Sequence, residues 1–220
     1  MSSSIQIQEV TTERDRRAFV KFPWRVYKGD PNWVPPLISD RLNYLNPAKN
    51  PFFQRAEVAL FLARRGKEVV GTIASFINQH AIEHLEEKVG NFGFFEVLED
   101  YAVAERLLDT ACAWVKERGM ALIRGPYNFT RNDCPGVLIG GADCPPVVLA
   151  AHTPPYYKDF LEHYGMEKYV DSYAWRAMRS QIGEELQNVP PGIFRVAEAA
   201  RRASKVTIRK ARLENLSLIH

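Results

Sequence analysis

The stretch that decides the fold runs from Gly90 to Gly119 and reads G-N-F-G-F-F-E-V-L-E-D-Y-A-V-A-E-R-L-L-D-T-A-C-A-W-V-K-E-R-G. Its apolar opening, Phe92 to Leu98, predicts a buried strand, and Glu99-Asp100 predicts a turn. The apolar residues that follow have helical spacing: Val103, Leu107, Leu108, Ala111, Trp114 and Val115. Gly119 is placed to end this helix. A strand that leads directly into a helix N-terminus presents unpaired N–H groups, which favour an anion.

Composition limits the class of protein. The chain has 220 residues, is 46% hydrophobic and carries a net charge of +3 without a dense basic block, which argues against a nucleic-acid partner. No apolar run approaches the ~20 residues of a membrane span, and the N-terminus lacks a secretion signal, so we expect a cytoplasmic protein without membrane contact. Three cysteines without C-x-x-C spacing and histidines without ligand spacing predict reduced thiols and no metal.

The segments before the opening stretch predict a small α/β domain. Ile5–Val10 alternates like a half-buried strand, and Thr12 with Asp15 resembles a capping box that starts a helix ended or kinked by Pro23. Trp24–Pro36 is an aromatic, proline-rich loop that serves as a substrate lid or as a rigid cover on the core. A short helix, Ile38–Leu45, comes next, followed by the hairpin strands Val58–Ala63 and Glu68–Ile77 and an exposed polar segment, Ala81–Lys88.

Beyond the opening stretch, a long loop separates the last elements. Residues 127–146 are rich in Gly, Asn, Asp and Pro, and loops of this length are commonly functional or mobile. The predicted regular elements here are the strand Ala121–Arg124, the helix Pro155–Tyr164 closed by Gly165, the strand Tyr169–Met178, the basic helix Ile193–Ser204 and the strand Val206–Lys210.

This order of elements resembles that of GNAT-type N-acetyltransferases. The resemblance covers roughly residues 5–179, and the turn at Glu99 matches the family's acyl-CoA diphosphate loop in spacing, including the leucine pair Leu107-Leu108. F-P-W-x-x-Y, W-V-P-P and G-P-x-N-F resemble a bacterial GNAT-like subgroup that often has two tandem domains. The resemblance implies an α/β fold with a GNAT-like mixed central sheet flanked by helices, and acetyl-CoA as the acyl donor.

Two departures bear on that implication. Glu99 stands where the family has a basic or amide residue, and Ala102 stands where it has a glycine. A diphosphate there would therefore meet the two negative charges of Glu99 and Asp100 and an added Cβ. The tyrosine that commonly protonates the leaving thiolate in the family aligns with Leu161, which has no proton to give. Tyr156, Tyr157 and Tyr164 are the nearby hydroxyls that would substitute for it.

The candidate site residues follow from the resemblance and from residue chemistry. Glu96 on the central strand is the predicted base, because a buried carboxylate there would have a raised pKa. Tyr157 is the second predicted catalytic residue. The predicted cofactor-binding residues are Val97, Leu98, Glu99, Tyr101, Ala102, Val103 and Ala104. The predicted substrate-binding residues are Asn128, Arg131, Asn132, Asp133 and His152, as against the alternatives that the loop residues only form turns and the histidine is structural.

The predicted organisation is a GNAT-like acyltransferase domain over residues 1–180 and a linker with a basic helix over 181–205. Residues 206–220 then form the first strand of a truncated second domain or the last strand of the only sheet. Two functions stay open: acyl-CoA-dependent N-acyl transfer to a small amine, or a GNAT-folded ligand-binding or interaction module without catalysis. Aminoacyl transfer is a third, weaker alternative. The predicted partners are a small-molecule substrate and either a second GNAT-like domain or a second copy of the chain.

Overall fold

The computed structural model describes residues 4–85, 87–175, 178, 180 and 188–203. The chain divides into two compact units, residues 1–167 and 168–220, and the candidate site lies in the first. Five strands form one sheet in the order β1-β2-β3-β4-β5: Ile5–Glu9, Ala56–Arg65, Glu68–Asn78, Val89–Val97 and Leu122–Arg124. The first three pairings are antiparallel, whereas β4 and β5 run parallel. The sheet is therefore mixed, as predicted.

Helices cover both faces of this sheet. Those of the first unit are α1 (Glu13–Lys21), α2 (Pro23–Val26), α3 (Ile38–Tyr44), α4 (Gln79–Leu85), α5 (Tyr101–Glu117) and α6 (Tyr156–His163), with a 3-10 helix at Pro51–Gln54. One core cluster joins α5 and α6 to the sheet, and a second joins α1 and the aromatic residues near Phe129 to the opposite face. This mixed sheet with flanking helices agrees with the predicted α/β fold.

Local sequence signals explain the helix boundaries. Thr12 accepts a hydrogen bond from the Asp15 N–H at 3.1 Å, which confirms the capping box at the start of α1. Pro23 starts α2 at a position where its missing N–H costs nothing. Gly119 and Gly165 take positive φ after α5 and α6, the conformation that favours glycine at helix ends.

Two segments differ from the sequence-based expectation. Residues 79–85, expected within an exposed polar stretch, form α4. The predicted strand Tyr169–Met178 is wrong for the described residues, since 168–175 have no regular secondary structure and Tyr173 and Trp175 are exposed. Residues with a high strand propensity form a strand only where a neighbouring strand pairs with them, and propensity does not show whether such a neighbour exists.

In the second unit the described helix is α7 (Pro191–Ala203), which agrees with the predicted basic helix. The expected strand Val206–Lys210 lies outside the described residues. None of the helices among the described residues has the length and apolar character needed to cross a membrane.

Candidate active site

Glu96, near the end of β4, is held by a tyrosine from α6. The Tyr157 hydroxyl donates to Glu96 Oε2 at 2.9 Å and accepts the Val97 N–H at 2.8 Å. The Tyr157 ring is buried and packs edge-on against Phe95, with ring centroids 5.2 Å apart. Because the phenol is fixed by packing and by a backbone donor, the carboxyl that it contacts has a defined position.

Burial gives this carboxyl an unusual acidity. Desolvation raises the pKa of Glu96 to about 7, although the Tyr157 hydrogen bond, the nearby Tyr27 hydroxyl and the charge of Arg41 act in the opposite direction. A carboxyl with this pKa is largely ionised just above neutral pH and can still accept a proton from an amine. The sequence-based expectation of a raised pKa at Glu96 therefore agrees with the structure.

A β-bulge next to Glu96 sets the local geometry. The β3–β4 register shifts between Thr72 and Ala74, and Phe94 takes a φ of 46°, which is uncommon for a non-glycine residue. The amide oxygen of Asn128 accepts the Phe94 N–H at 2.8 Å, and the Thr72 hydroxyl donates to the Phe94 carbonyl at 2.9 Å. These side chains satisfy the backbone groups that the bulge removes from the ladder.

Glu96 lines a cavity of about 410 Å³, within the range of small-molecule sites. Its lining comes from α1 and α2, the W-V-P-P segment, β4 and the loop that precedes α6. Most lining side chains are apolar, among them Phe19, Val34, Phe94, Phe95, Leu45, Val147, Val148 and Leu149. The W-V-P-P segment thus forms part of the cavity wall, and its Trp33 stacks on Tyr27 with centroids 4.8 Å apart.

A buried ion pair supports the same cavity. Arg41 of α3 contacts both carboxylate oxygens of Asp133, at 3.0 and 3.4 Å, and its guanidinium lies over the rings of Tyr44 and Phe94. Asp133 is buried, so the pairing compensates for its desolvation. The adjacent Cys134 also lines the cavity, and burial raises the pKa of its thiol to about 12. That thiol stays protonated, which makes it a poor nucleophile.

A histidine of the cavity wall, His152, is paired with a carboxylate outside the lining. The Nε2 atom of His152 is 2.7 Å from Asp30 Oδ2, and the His152 side chain is only 6% exposed. The backbone carbonyl of His152 accepts the Tyr27 hydroxyl at 2.9 Å. His152 therefore lies beside the tyrosine that faces Glu96, and its other ring nitrogen, Nδ1, is buried without a hydrogen-bond partner among the described residues.

The predicted diphosphate turn has N–H donors that favour an anion and a carboxylate that opposes one. The N–H groups of Val103 and Ala104 bond to the Asp100 carbonyl, at 3.1 and 3.3 Å, so the first-turn donors left for an anion are those of Tyr101 and Ala102. Glu99 is exposed, but the Asp100 carboxylate pairs with Arg65 at 2.8 Å. Asp100 is thus partly neutralised, and Glu99 carries the negative charge that opposes a diphosphate here.

The strand end beside this turn is capped by tyrosines. The Val97 carbonyl accepts the Tyr156 hydroxyl at 2.8 Å, and the Val97 N–H donates to Tyr157. The backbone groups of Val97 are therefore engaged by side chains of α6. Leu161 is buried in the core, and its side chain has no proton to donate.

The structure brings some predicted substrate residues to the cavity and leaves others elsewhere. Asn128, Asp133 and His152 line the cavity, as do the predicted catalytic residues. Arg131 lines a separate pocket near α4, and Asn132 is exposed on the loop surface outside both linings. Sequence reasoning missed Tyr27 and Arg41, which line the cavity, and Asp30, which contacts His152. For Tyr27, the F-P-W-x-x-Y pattern was a usable signal.

The order and pairing of the strands, the bulged β4 and the strand–turn–helix from β4 into α5 give the chain a GNAT-type fold, with an acidic residue at the end of β4. No protein-family model matches the chain.

Two curated proteins resemble the chain in sequence. It is 37% identical over 177 residues to the bacterial ceramide synthase of Caulobacter vibrioides (strain NA1000 / CB15N), which covers 80% of the chain and 46% of that protein. It is 32% identical over 203 residues to protein YghO of Escherichia coli (strain K12), covering 92% of the chain and 50% of that protein. The chain spans about half the length of these relatives.

Two solved structures that align with the chain are an aminoglycoside acetyltransferase and a tandem GNAT protein. An aminoglycoside acetyltransferase from an uncultured soil metagenomic sample, in complex with sisomicin, aligns with a TM-score of 0.48 and 13% identity over 79% of this chain and 97% of that chain. A tandem GNAT protein from the clavulanic acid biosynthesis pathway aligns with a TM-score of 0.49 and 12% identity, over 74% of this chain and 43% of that chain.

Proposed function

We propose that the chain carries the site of an N-acyltransferase, which moves an acyl group from a thioester to an amine. The observation that carries the proposal is the Glu96 carboxyl, with a pKa of about 7, fixed by Tyr157 at the lining of an apolar cavity. Amide formation needs a group that takes the amine's proton near neutral pH, and a carboxyl with this acidity supplies one.

The chemistry balances with Glu96 as the base. The amine nitrogen bonds to the acyl carbon, Glu96 takes a proton from that nitrogen, and the carbon–sulfur bond breaks with its electron pair on sulfur. The thiolate then takes a proton and leaves as a thiol. Tyr157 contributes by holding Glu96, because a carboxyl displaced by a fraction of an ångström would not meet the nitrogen.

The cavity favours an aliphatic substrate portion. Its volume of about 410 Å³ exceeds the needs of an acetyl group, and its lining is mainly aliphatic and aromatic. The Caulobacter relative is named a ceramide synthase, and a ceramide is the amide of a fatty acid with a long-chain amino alcohol. We therefore propose a long-chain acyl group, a long-chain amine, or both as substrates, with acetyl transfer from acetyl-CoA as the narrower alternative.

A second candidate function is ligand binding without catalysis. It is favoured by the exposed carboxylate of Glu99 at the diphosphate turn and by the engagement of the Val97 backbone groups by tyrosine hydroxyls. Both features disfavour a CoA thioester at the position that the fold resemblance implies. Under this alternative the cavity would still bind an aliphatic molecule, but no amide would form.

Acyl transfer and ligand binding are distinguished by testing for amide formation with two thioesters and with two amino alcohols, one long-chain and one short. Purified chain is incubated with palmitoyl-CoA or acetyl-CoA and with sphinganine or ethanolamine, and amides are measured by mass spectrometry. We expect N-palmitoyl sphinganine as the main product, little product from ethanolamine, and a loss of roughly 100-fold or more in Glu96→Gln. Product from acetyl-CoA alone supports the narrower alternative. Saturable binding of palmitoyl-CoA or sphinganine without any amide supports the binding module and contradicts acyl transfer.

The turn can be tested separately by calorimetry with palmitoyl-CoA. Glu99→Gln removes an exposed negative charge beside the proposed diphosphate position, so we expect it to tighten binding. Weaker binding by this variant would show that the diphosphate lies elsewhere.

A further inference from the structure

The leaving thiolate needs a proton, but the hydroxyls of the two tyrosines that line the cavity, Tyr27 and Tyr157, and of the neighbouring Tyr156 are engaged in other hydrogen bonds. The Tyr27 hydroxyl donates to the His152 carbonyl, that of Tyr156 to the Val97 carbonyl and that of Tyr157 to Glu96. Desolvation and the charge of Glu96 also raise the pKa values of all three phenols. They are thus poor donors to sulfur while Glu96 is ionised.

Among the described residues of the lining, one buried side-chain nitrogen has no hydrogen-bond partner. The Arg41 guanidinium is paired with Asp133, and burial raises the pKa of the Cys134 thiol. His152 is different: Nε2 is paired with Asp30, whereas Nδ1 is buried with no hydrogen-bond partner among the described residues. Buried polar atoms are normally satisfied, so this nitrogen is a candidate for contact with a bound group.

We propose that His152, oriented by Asp30, is the acid that protonates the leaving thiolate in the acyl transfer proposed above. The 2.7 Å contact with Asp30 fixes the ring so that Nδ1 is the nitrogen left for chemistry. The hydrogen bond to His152 lowers the pKa of Asp30, in keeping with a carboxylate that stays ionised.

The step is balanced within the site. Glu96 takes the proton of the attacking amine, the carbon–sulfur bond breaks with its electron pair on sulfur, and the imidazolium gives its Nδ1 proton to that sulfur. The products are an amide, a thiol, protonated Glu96 and neutral His152. Solvent then carries the proton from Glu96 to His152, which restores both groups. Nδ1 has almost no exposed surface, so the sulfur reaches it when neighbouring lining side chains shift.

The acidity of the leaving group tests this role. An alkyl thiolate needs a proton to leave, whereas an aryl thiolate, whose conjugate acid is much stronger, leaves without one. With palmitoyl-CoA we expect His152→Gln to lose ~100-fold or more in kcat, and with an S-aryl thiopalmitate less than ~10-fold. Glu96→Gln is the matched comparison: it should lose the same factor with both thioesters, because the amine's proton must be removed in either case.

The outcomes separate failure of the proposed roles of His152 and Asp30 from failure of the proposed acyl transfer. An equal loss with both thioesters, or no loss, in His152→Gln would overturn the acid role of His152. Asp30→Asn, which leaves the imidazole in place, is the second variant: it should show the same leaving-group dependence with a smaller loss, and an equal loss with both thioesters would contradict the role of Asp30. Absence of amide from wild-type protein with either thioester would instead reject the proposed function. Melting temperatures of both variants establish that they are folded.

Discussion

Replacing Glu96 by glutamine should stabilise the protein at alkaline pH, although it removes the proposed base. The folded-state pKa of Glu96 is about 7, against an ordinary value of 4.5, because the ionised carboxyl is desolvated. The folded state therefore binds this proton more tightly than the unfolded chain. Stability from this group is fully present below the unfolded pKa and is lost as pH rises through about 7.

The magnitude follows from the two pKa values. Between about pH 5 and about pH 8, ionisation of a carboxyl with these values lowers the free energy of unfolding by roughly 2–3 kcal/mol. A glutamine at this position has no charge to desolvate and keeps the approximate shape. The difference in unfolding free energy between Glu96→Gln and wild type should therefore shift in favour of the variant by about 2–3 kcal/mol across this pH interval.

Urea denaturation at both pH values, followed by tryptophan fluorescence, measures this difference without any substrate. Three of the four tryptophans, Trp24, Trp33 and Trp114, lie in the unit that holds the site. Glu99→Gln is the matched control, because that carboxyl is exposed three residues further along and its removal should change stability by less than about 0.5 kcal/mol at either pH. A Glu96→Gln difference that does not change with pH would refute the raised pKa of a desolvated carboxyl at this position.

Three further substitutions test the surroundings of the site. Tyr157→Phe removes a hydrogen bond to the ionised carboxyl, so the acid limb of kcat/KM against pH should move up by roughly 1–2 pH units. Arg41→Gln leaves buried Asp133 unpaired and should cost about 3 kcal/mol in urea denaturation. Gly93→Ala should lower the melting temperature by several degrees, because a Cβ there would lie 1.8 Å from the Tyr127 carbonyl oxygen.

Two of these substitutions have a matched comparison variant. The Arg41→Gln/Asp133→Asn double variant should recover most of the lost stability, and a double variant as unstable as the single one would contradict the ion-pair explanation. Gly140→Ala adds a Cβ with no atom within 4 Å, so it should melt like wild type, and an equal loss in both alanine variants would contradict the close approach. An unshifted acid limb in Tyr157→Phe would show that Tyr157 does not stabilise the ionised carboxyl.

Sequence patterns predicted much of the fold because helix caps, hairpins and amphipathic helices depend on interactions between residues that are close in sequence. The Thr12 cap, the hairpin between β2 and β3 and the apolar stripe of α5 each depend on residues close in sequence. The raised pKa of Glu96 was also foreseeable, since it lies on a strand with apolar neighbours. The bulge at Phe94 was not, because it depends on how β4 pairs with β3 and on Asn128 in a distant loop.

The site itself is assembled from contacts that sequence spacing does not encode. Tyr27 reaches the carbonyl of His152, 125 residues along the chain, and Arg41 reaches Asp133 over 92 residues. The pattern of a single sequence does not show which distant residues form such pairs. The failed prediction of a strand over Tyr169–Met178 has the same origin, because a strand requires a partner whose position the sequence does not state.

The most direct test of the central claim is the pH dependence of kcat/KM for amide formation from palmitoyl-CoA and sphinganine. If Glu96 is the base, activity expressed per concentration of unprotonated sphinganine should rise tenfold per pH unit below an apparent pKa of about 7 and level off above it. Glu96→Gln should lose that limb together with most of the activity. A Glu96→Gln variant that forms amide at the wild-type rate with the same pH profile would contradict the claim.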